Sequence, residues 1–288
     1  MSDTNDLAEL RVLVCHDMDL RCAVLLTDLL IQRSRKFDLV LLSGPFTSEL
    51  NRIPISAEEE AVRIADISSI IAQFENVVCR VVFLPSDYDT GKLRSDRQLF
   101  LTPNSMGINQ CMLPLTPSLS IIGFLEDESM LNCESAMPFD FDRSQESDDE
   151  LEGVVIKSSS SVPAIQLLLE NVKAAQTSPL SKIFVLNYKF AASLNQFLYH
   201  MPHLTKDIFL CILPQVSETP LNVPLRHGSG TVLLSPKSLR TDGYHYELVL
   251  SRSSSGWQVS ELIEVQHQQE NLLIGSSARN NESRVNEP

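Results

Sequence analysis

The chain has 288 residues, 43% of them hydrophobic, which is long enough for one large or two small domains; we favour one. Its 23 basic and 37 acidic residues give a formal charge of −14, which disfavours direct binding to nucleic acid. The polar, acidic start argues against a signal peptide, and no apolar run reaches the roughly 18 residues of a membrane helix.

Short β-rich runs alternate with helical patterns in the first half of the chain. The second helix begins with Ser56 as its cap, with Glu59 three residues on, and its apolar residues repeat at helical spacing. The predicted elements, in order, are strand 11–15, helix Leu20–Gln32, strand Leu39–Ser43, the helix that begins at Ser56, and strand 80–84. This alternation predicts parallel strands with helical crossovers, and therefore the α/β class.

The second half repeats this pattern and then continues with consecutive strands. Predicted strands are 98–101, 110–113, Leu119–Phe124, 182–186, 207–213, 231–235, 244–250 and 257–265, with a helix opened by Pro163 before the fourth of them. Residues 1–9 and the polar tail 266–288 are predicted to be flexible, which leaves 10–265 as the domain.

Most of the negative charge lies in residues 126–152, where eleven acids accompany the single base Arg143. Such a run predicts a solvated, disordered insertion, with a dedicated binding segment as the alternative. Ser147 is followed by three acids, which predicts a site for an acid-directed kinase. Phosphate would add about −1.5 to −2 charges and strengthen attraction to a basic partner surface.

The six cysteines are widely separated, and no Cys-x-x-Cys pair occurs among Cys15, Cys22, Cys79, Cys111, Cys133 and Cys211. Most lie in apolar segments. This usage is typical of buried free thiols in a cytoplasmic or nuclear protein.

Several segments together resemble the calcineurin-like metallophosphoesterases, from about residue 11 to residue 265. Residues 12–19 (VLVCHDMD) are similar to the family's first strand and Asp-x-His loop. Residues 38–44 (DLVLLSG) are similar to the strand before its Gly-Asp, and 82–89 (VFLPSDYD) stand where Gly-Asn-His-Asp or Glu is expected. Residues 231–240 (TVLLSPKSLR) are similar to its Asn-Pro-Gly-Ser-Leu-Arg turn.

The resemblance implies a four-layer α/β sandwich, in which two mixed β-sheets are flanked by helices. It also implies a two-metal centre that activates water towards phosphorus. Most ligand positions depart from the family's pattern. Asp17 is kept. Asp19 stands in place of a histidine, Pro45 in place of the bridging aspartate and Asp87 in place of an asparagine. Tyr88 and Asn187 stand in place of histidines, and Leu213 and Gln215 occupy the last motif.

Two histidines lie near the matched loops, His16 beside the first and His227 near the last. We expect surface or hydrogen-bonded structural roles for both rather than metal ligation. The surviving carboxylates Asp17, Asp19, Asp87 and Asp89 could converge on one hard cation. The alternative is that exposed loop aspartates only cap turns and helix starts.

Two functions from different classes compete. The first is a catalytically inactive phosphoesterase-like protein without cofactor, which acts as a binding or scaffold module for another protein and contacts neither nucleic acid nor membrane directly. The turn Gly44-Pro45-Phe46 is also similar to that of the inactive phosphoesterase-like domain in B subunits of replicative DNA polymerases. The second is a divergent phosphoesterase with one divalent cation, such as Mg²⁺ or Mn²⁺, held by Asp17, Asp19, Asp87, Asp89 and Asn187.

Overall fold

The computed structural model describes residues 8–46, 56–78, 80–86, 89, 100–109, 111–124, 181–186, 207–214, 225–226 and 231–267. These residues build two mixed sheets of six strands each, with helices against the first sheet. The predicted α/β sandwich is therefore confirmed, and its layout is consistent with a phosphoesterase-like fold. The helix predicted at Pro163, the acidic segment 126–152 with Ser147, and the tail from residue 268 lie outside the described residues.

The first sheet has the order β12-β11-β1-β2-β3-β4. Strands β1 to β4 are parallel, whereas β11 runs antiparallel to β1 and β12 antiparallel to β11. The strands are β1 (Glu9–His16), β2 (Leu39–Ser43), β3 (Val81–Leu84), β4 (Ser105–Gly107), β11 (Tyr244–Ser253) and β12 (Gly256–Gln266).

The second sheet has the order β5-β6-β7-β8-β10-β9, with four central parallel strands and an antiparallel strand at each edge. The strands are β5 (Cys111–Thr116), β6 (Leu119–Phe124), β7 (Ser181–Leu186), β8 (Ile208–Ile212), β9 (Leu225–Arg226) and β10 (Val232–Leu234). The described helices are α1 (Leu20–Gln32), α2 (Ala57–Glu75) and α3 (Leu239–Asp242).

Strand periodicity divides the apolar side chains of the first sheet between two cores. On β1, Val12 and Val14 face the core between the sheets, while Leu13 and Cys15 face the core under the helices. The same alternation places Leu41 of β2 between the sheets and Leu42 under the helices. β1 from Val12 onwards and all of β2 are buried on both faces, which explains why these two strands are continuous apolar runs.

The helix predictions agree with the structure. Helix α1 has the predicted bounds, and the Ser56 side chain accepts the Glu59 N–H at 3.1 Å, as the capping pattern predicted. Ile67, Ile71 and Phe74 of α2 are fully buried. Neither helix, nor any other in the described part of the chain, has the length and apolarity needed to cross a membrane.

Several boundaries differ from the predictions, most of them by one to three residues. Phe100 and Leu101 are not in a strand; the fourth strand of the sheet is β4, whose Ser-Met-Gly sequence carries no apolar period. β1 begins at Glu9, inside the segment predicted to be flexible. At the other end β12 extends to Gln266, and His267 donates its backbone N–H to the Gly243 carbonyl at 2.9 Å. The ordered chain therefore passes the predicted boundary at residue 265.

The cysteine prediction agrees wherever side chains are described. Cys15, Cys22 and Cys211 are free and buried. Burial raises the pKa of the Cys22 and Cys211 thiols to about 12, so both are protonated and unreactive at neutral pH. The other three cysteine side chains lie outside the described set.

Helix α1 ends in a Schellman motif that places Ser34, rather than glycine, in the left-handed region, at φ 52°. Its N–H bonds the Ile31 carbonyl, and the Arg35 N–H bonds the Leu30 carbonyl. The left-handed conformation costs an L-residue about 1–2 kcal/mol, and glycine is free of this cost. Glycine loses more conformational entropy on folding, which offsets part of the gain. Ser34→Gly is therefore expected to raise the free energy of unfolding by about 0.5–1 kcal/mol.

Urea denaturation followed by the fluorescence of Trp257, the single tryptophan, measures this change. The matched control is Ser69→Gly, at an exposed position inside α2, where glycine should lower stability by up to about 1 kcal/mol. A Ser34→Gly variant that loses as much as the Ser69→Gly control would contradict the prediction.

Candidate functional site

The carboxyl ends of β1, β2 and β3 meet the start of α3 at one edge of the first sheet. Backbone bonds join the loops there: the Asp17 N–H donates to the Ser43 carbonyl, and the Met18 N–H donates to the Pro45 carbonyl. The Arg240 N–H donates to the Asp17 carbonyl at 3.0 Å. This is the edge at which parallel α/β sheets place their sites, and the resemblance put the first three metal motifs here.

Asp17 follows β1 in the left-handed region, at φ 51°, which aspartate tolerates better than most residues. The residue is buried, with 7% of its surface exposed. The expectation that the strand-end aspartates are exposed is therefore wrong for Asp17, because the α3 turn folds over it.

Both oxygens of the Asp17 carboxylate contact α3. The Ser238 hydroxyl donates to Oδ2 at 2.6 Å, and Nη2 of Arg240 lies 2.6 Å from Oδ1. Burial raises the pKa of the Asp17 carboxyl, opposed by the Ser238 hydrogen bond and the Arg240 charge. Ser238 also caps α3 by accepting the Thr241 N–H, so the turn that holds Arg240 is itself fixed.

Asp19 has a local structural role. Its carboxylate accepts the Cys22 N–H at 2.9 Å and caps α1. This is the capping role that the sequence offered as the alternative to metal binding. A capping carboxylate is oriented by its own helix, and Asp19 is accordingly directed towards the start of α1.

Pro45 stands at the position of the bridging ligand, after a cis Gly44–Pro45 peptide bond. Its ring carries no donor atom, and its carbonyl is already used by Met18. Gly44 allows the next loop to approach closely: a Cβ there would collide with Oδ2 of Asp89 and would lie 2.7 Å from the Ser86 nitrogen. Glycine is therefore required by packing at this position.

Asp89 is fully buried and joins two loops. Its Oδ1 accepts the Phe46 N–H at 3.0 Å, and its Oδ2 accepts the Ser86 N–H at 2.6 Å. Burial raises the pKa of the Asp89 carboxyl to about 6, against these hydrogen bonds and the charge of Arg63. Asp89 too contradicts the expectation of an exposed loop carboxylate.

The described residues do not provide the donor set of a two-metal centre. Leu213 is buried and apolar, and its N–H donates to the Leu234 carbonyl. In the described ranges no group of three His, Cys, Asp or Glu side chains is placed to hold a metal ion. Asp87, Tyr88, Asn187 and Gln215, and His227 with them, fall outside these ranges.

The sequence analysis missed Ser238, Arg240 and Arg63 as site residues. Ser238 and Arg240 were part of the Ser-Leu-Arg turn, but nothing in that turn indicates which acid the arginine pairs with. Arg63 carried a detectable signal, because a cation is unusual on the buried face of a helix. His16 has the predicted structural role, with Nδ1 3.2 Å from the Ser43 hydroxyl in a buried position.

No protein-family model matches the sequence, and no curated protein matches it. Among solved structures, one crystal structure is 12% identical and aligns over 90% of this chain and 100% of its own, with a TM-score of 0.55. TT1561 of Thermus thermophilus is 10% identical over 88% of this chain and 98% of its own, with a TM-score of 0.49.

At 12% identity the first of these likenesses shows a shared fold and nothing finer. The second has a TM-score below 0.5 and carries no argument. Membership of the calcineurin-like family therefore remains a prediction from the motifs.

A second polar cluster lies on the outer face of β11, apart from the candidate site. Nε2 of His267 is 2.9 Å from Nδ1 of His245, and Nε2 of His245 is 3.4 Å from a Glu247 oxygen. The ring centroids are 4.9 Å apart and the ring planes are 17° from parallel. With Glu247 ionised, His245 donates to it and accepts from His267, so the His245 imidazole is neutral.

The cluster predicts acid sensitivity. Burial, with the charges of His267, Arg33 and Arg35, lowers the pKa of His245 from 6.5 to about 3. Below pH 6.5 the unfolded chain therefore binds a proton at His245 that the folded chain does not bind. The free energy of unfolding then decreases as the pH is lowered, by up to about 1.4 kcal/mol per pH unit. Asp89 acts in the opposite direction between pH 6 and 3.8, because its pKa is raised.

His245→Gln removes the first effect while keeping a donor for Glu247. Between pH 6.5 and about pH 4, the variant's stability should fall less than that of wild type, by about 2–3 kcal/mol over the interval. Urea denaturation at each pH measures this difference. Parallel pH profiles for the two proteins would show that His245 is not held neutral by the fold.

Proposed function

We propose that this chain is a catalytically inactive metallophosphoesterase-like protein that acts as a binding or scaffold module for another protein. The contact that carries the proposal is the ion pair between Asp17 and Arg240. Asp17 is the ligand of the first motif that this chain retains, and its carboxylate is already paired with a guanidinium and hydrogen-bonded by a hydroxyl.

Arg240 opposes a metal at Asp17 by charge. Two like unit charges about 4 Å apart repel by about 4 kcal/mol at an effective dielectric of about 20, and a divalent cation doubles this. To bind there, the cation would have to displace the Arg240 side chain from Asp17. The turn that carries Arg240 is held closed by the Ser238 cap, which opposes this displacement. Among the residues that the structure describes, the donor set does not fit the family's metals, and we derive no catalytic step through them.

Protein contacts join the described loops at this edge. Asp89 ties the turn after β2 to the loop after β3, and the Pro45 carbonyl ties the first loop to the second. In an active centre these positions would be organised around metal. Loops fixed in this way support a role as a rigid binding surface.

A protein is the partner class that this chain's charge favours. The net charge of −14 disfavours nucleic acid, as noted above. The alternative of a one-metal phosphoesterase gains no support from the described residues, because Asp17, Asp19 and Asp89 each have a protein partner. Asp87 and Asn187, the remaining ligands of that alternative, lie outside them.

The test measures metal content and turnover of the purified chain. We expect no stoichiometric metal after dialysis against Mn²⁺, and no hydrolysis of para-nitrophenyl phosphate or its diester above the buffer rate. Pro45→Asp alone should behave in the same way, because one restored carboxylate cannot hold two metals when the other ligands are missing.

Two bound metals per chain with saturable turnover would overturn the proposal. Asp17→Asn is the control for any residual rate, because it removes the first-motif carboxylate while keeping an acceptor for Ser238. Turnover that persists in Asp17→Asn comes from a contaminating phosphatase. Turnover that Asp17→Asn abolishes comes from this site and favours the enzyme.

A further inference from the structure

An open cleft of about 430 Å³ lies between the turn after α1 and the outer face of β11 and β12. It lies at the amino ends of β1 and β2, whereas the candidate site lies at the carboxyl ends of these strands. We call it the α1–β2 cleft. Its lining includes Arg11, Arg35, Lys36, Glu247, Val249, Glu261 and Ile263.

Apolar surface forms the floor of the α1–β2 cleft. Ile263 is 37% exposed and is among the few large apolar side chains of the described residues that reach solvent. Val249 lies on the neighbouring strand and is half-buried. Together with the ring of Phe37 they form a shallow apolar surface that fits one aliphatic or aromatic side chain.

The rim of the cleft is more basic than the rest of this acidic chain. The lining has three bases (Arg11, Arg35, Lys36) and two acids (Glu247, Glu261), or 3 − 2 = +1, on a protein of charge −14. Arg33, two residues before Arg35, adds a further cation whose charge reaches His245. Nε of Arg11 lies 3.4 Å from a Glu9 oxygen, but the Arg11 side chain is 62% exposed and keeps its other donors. The excess of bases in the lining attracts an acidic ligand here, although the molecule as a whole repels it.

A buried carboxylate holds Arg35 at this rim. Glu247, whose side chain is 10% exposed, pairs with Arg35 through one oxygen, and its other oxygen lies near His245. The Arg35 side chain is still 43% exposed. A guanidinium has five N–H donors, and one carboxylate oxygen uses only part of them. Arg35 is therefore oriented in advance and keeps donors for a ligand carboxylate.

The backbone that carries these bases is also fixed. The two Schellman hydrogen bonds hold residues 33–35, and the Asp38 carboxylate accepts the Arg11 N–H at 2.8 Å. A rim that is ordered before binding reduces the entropy cost of association. Ser34 keeps its strained conformation in the lining of this cleft.

We propose that the α1–β2 cleft is the docking site for a partner protein's acidic peptide segment, with one apolar side chain on the Val249–Ile263 floor and its carboxylates at Arg35, Lys36 and Arg11. This rests on the proposed function, because it names the partner chemistry of the binding module. An apolar anchor surrounded by acids complements both parts of the cleft, which neither a free phosphate nor a membrane surface would do.

The test uses the full chain and short fluorescein-labelled peptides with acidic residues on both sides of one central leucine, isoleucine, valine, phenylalanine or tryptophan. Fluorescence polarisation should show saturable binding of at least one peptide that weakens with added salt. Replacing the central residue by serine, or the acids by glutamine, should each weaken binding by about tenfold or more.

Two variants locate the site, each with a matched control. Lys36→Glu and Ile263→Ser should each weaken binding by about tenfold, while Arg35 is left intact because it pairs with Glu247. Arg21→Glu makes the same charge change at the other end of α1, and Val62→Ser the same apolar loss at an exposed position of α2. Both controls should bind as wild type does.

Several results would overturn the assignment. One is that no peptide binds saturably up to about 1 mM. Another is that Lys36→Glu or Ile263→Ser binds the peptide as tightly as wild type does. A third is that peptides without the apolar anchor or without the acids bind as tightly as the complete peptide. Binding that appears only after deletion of residues 126–152 would mean that the chain's own acidic segment occupies the cleft. All of these leave the metal and turnover assay unaffected, so failure here is distinguishable from failure of the proposed function.

Discussion

Replacing Arg240 with alanine is expected to lower the free energy of unfolding by about 3–5 kcal/mol. The change leaves the Asp17 carboxylate buried, with the Ser238 hydroxyl as its remaining side-chain partner among the described residues. Removing one member of a buried pair costs far more than the pair contributes, because the remaining charge has lost its compensation. Chemical denaturation followed by Trp257 fluorescence measures the loss.

The double variant Asp17→Asn with Arg240→Leu tests the cause. It removes both charges and keeps an acceptor for Ser238, so it should be more stable than Arg240→Ala alone. Arg80→Ala, at an exposed arginine, should change stability by no more than about 0.5 kcal/mol. If Arg240→Ala were as mild as Arg80→Ala, the pair would be solvated and its opposition to a metal would disappear.

The regular elements of the first sheet could be predicted because their signals are local. The bounds of α1 and β2 follow from a helical period and a continuous apolar run, and Ser56 marks the start of α2. Each signal lies within about twenty residues of sequence. The short strand β4 has no such signal, since its three residues pair with β3 through backbone alone.

The contacts of the candidate site could not be predicted in the same way. The motif pattern placed Asp17 and Asp89 at strand ends, but their partners are remote: Ser238 is 221 residues from Asp17, and Phe46 is 43 residues from Asp89. Sequence identifies which groups need a partner when buried, and the fold decides which partner is near. This is why both aspartates were expected at the surface.

The departures from the family's motif were informative even without their partners. The Pro45 side chain has no atom that can bind a metal in any orientation, so the loss of the bridging ligand follows from its covalent structure. Asp19 is different, because aspartate both caps helices and binds cations; the structure shows the cap. Residues with one available role can be interpreted from sequence, whereas those with two require coordinates.

The two sheets are joined at one end by Trp257, and its replacement should be among the most damaging single changes in the interior. Trp257 lies near the start of β12, is 4% exposed and packs in the core between the sheets. Its indole N–H donates to the Ser118 hydroxyl at 3.0 Å, just before β6. Its backbone N–H donates to the hydroxyl of Ser181, the first residue of β7, at 3.1 Å.

Trp257→Ala is expected to lower the free energy of unfolding by about 3–5 kcal/mol, since it removes a large buried side chain and leaves a cavity between the sheets. Far-UV circular dichroism must follow the unfolding, because the variant has no tryptophan.

Trp257→Phe keeps most of the apolar contact and loses the Ser118 hydrogen bond, so its free energy of unfolding should fall less than that of Trp257→Ala. Ser118→Ala, which leaves the indole N–H without this acceptor, should cost about 1–3 kcal/mol. Equal losses for the alanine and phenylalanine variants would place the energy in the hydrogen bond rather than in packing, and a loss below about 1 kcal/mol for Trp257→Ala would mean that the sheets are held together elsewhere.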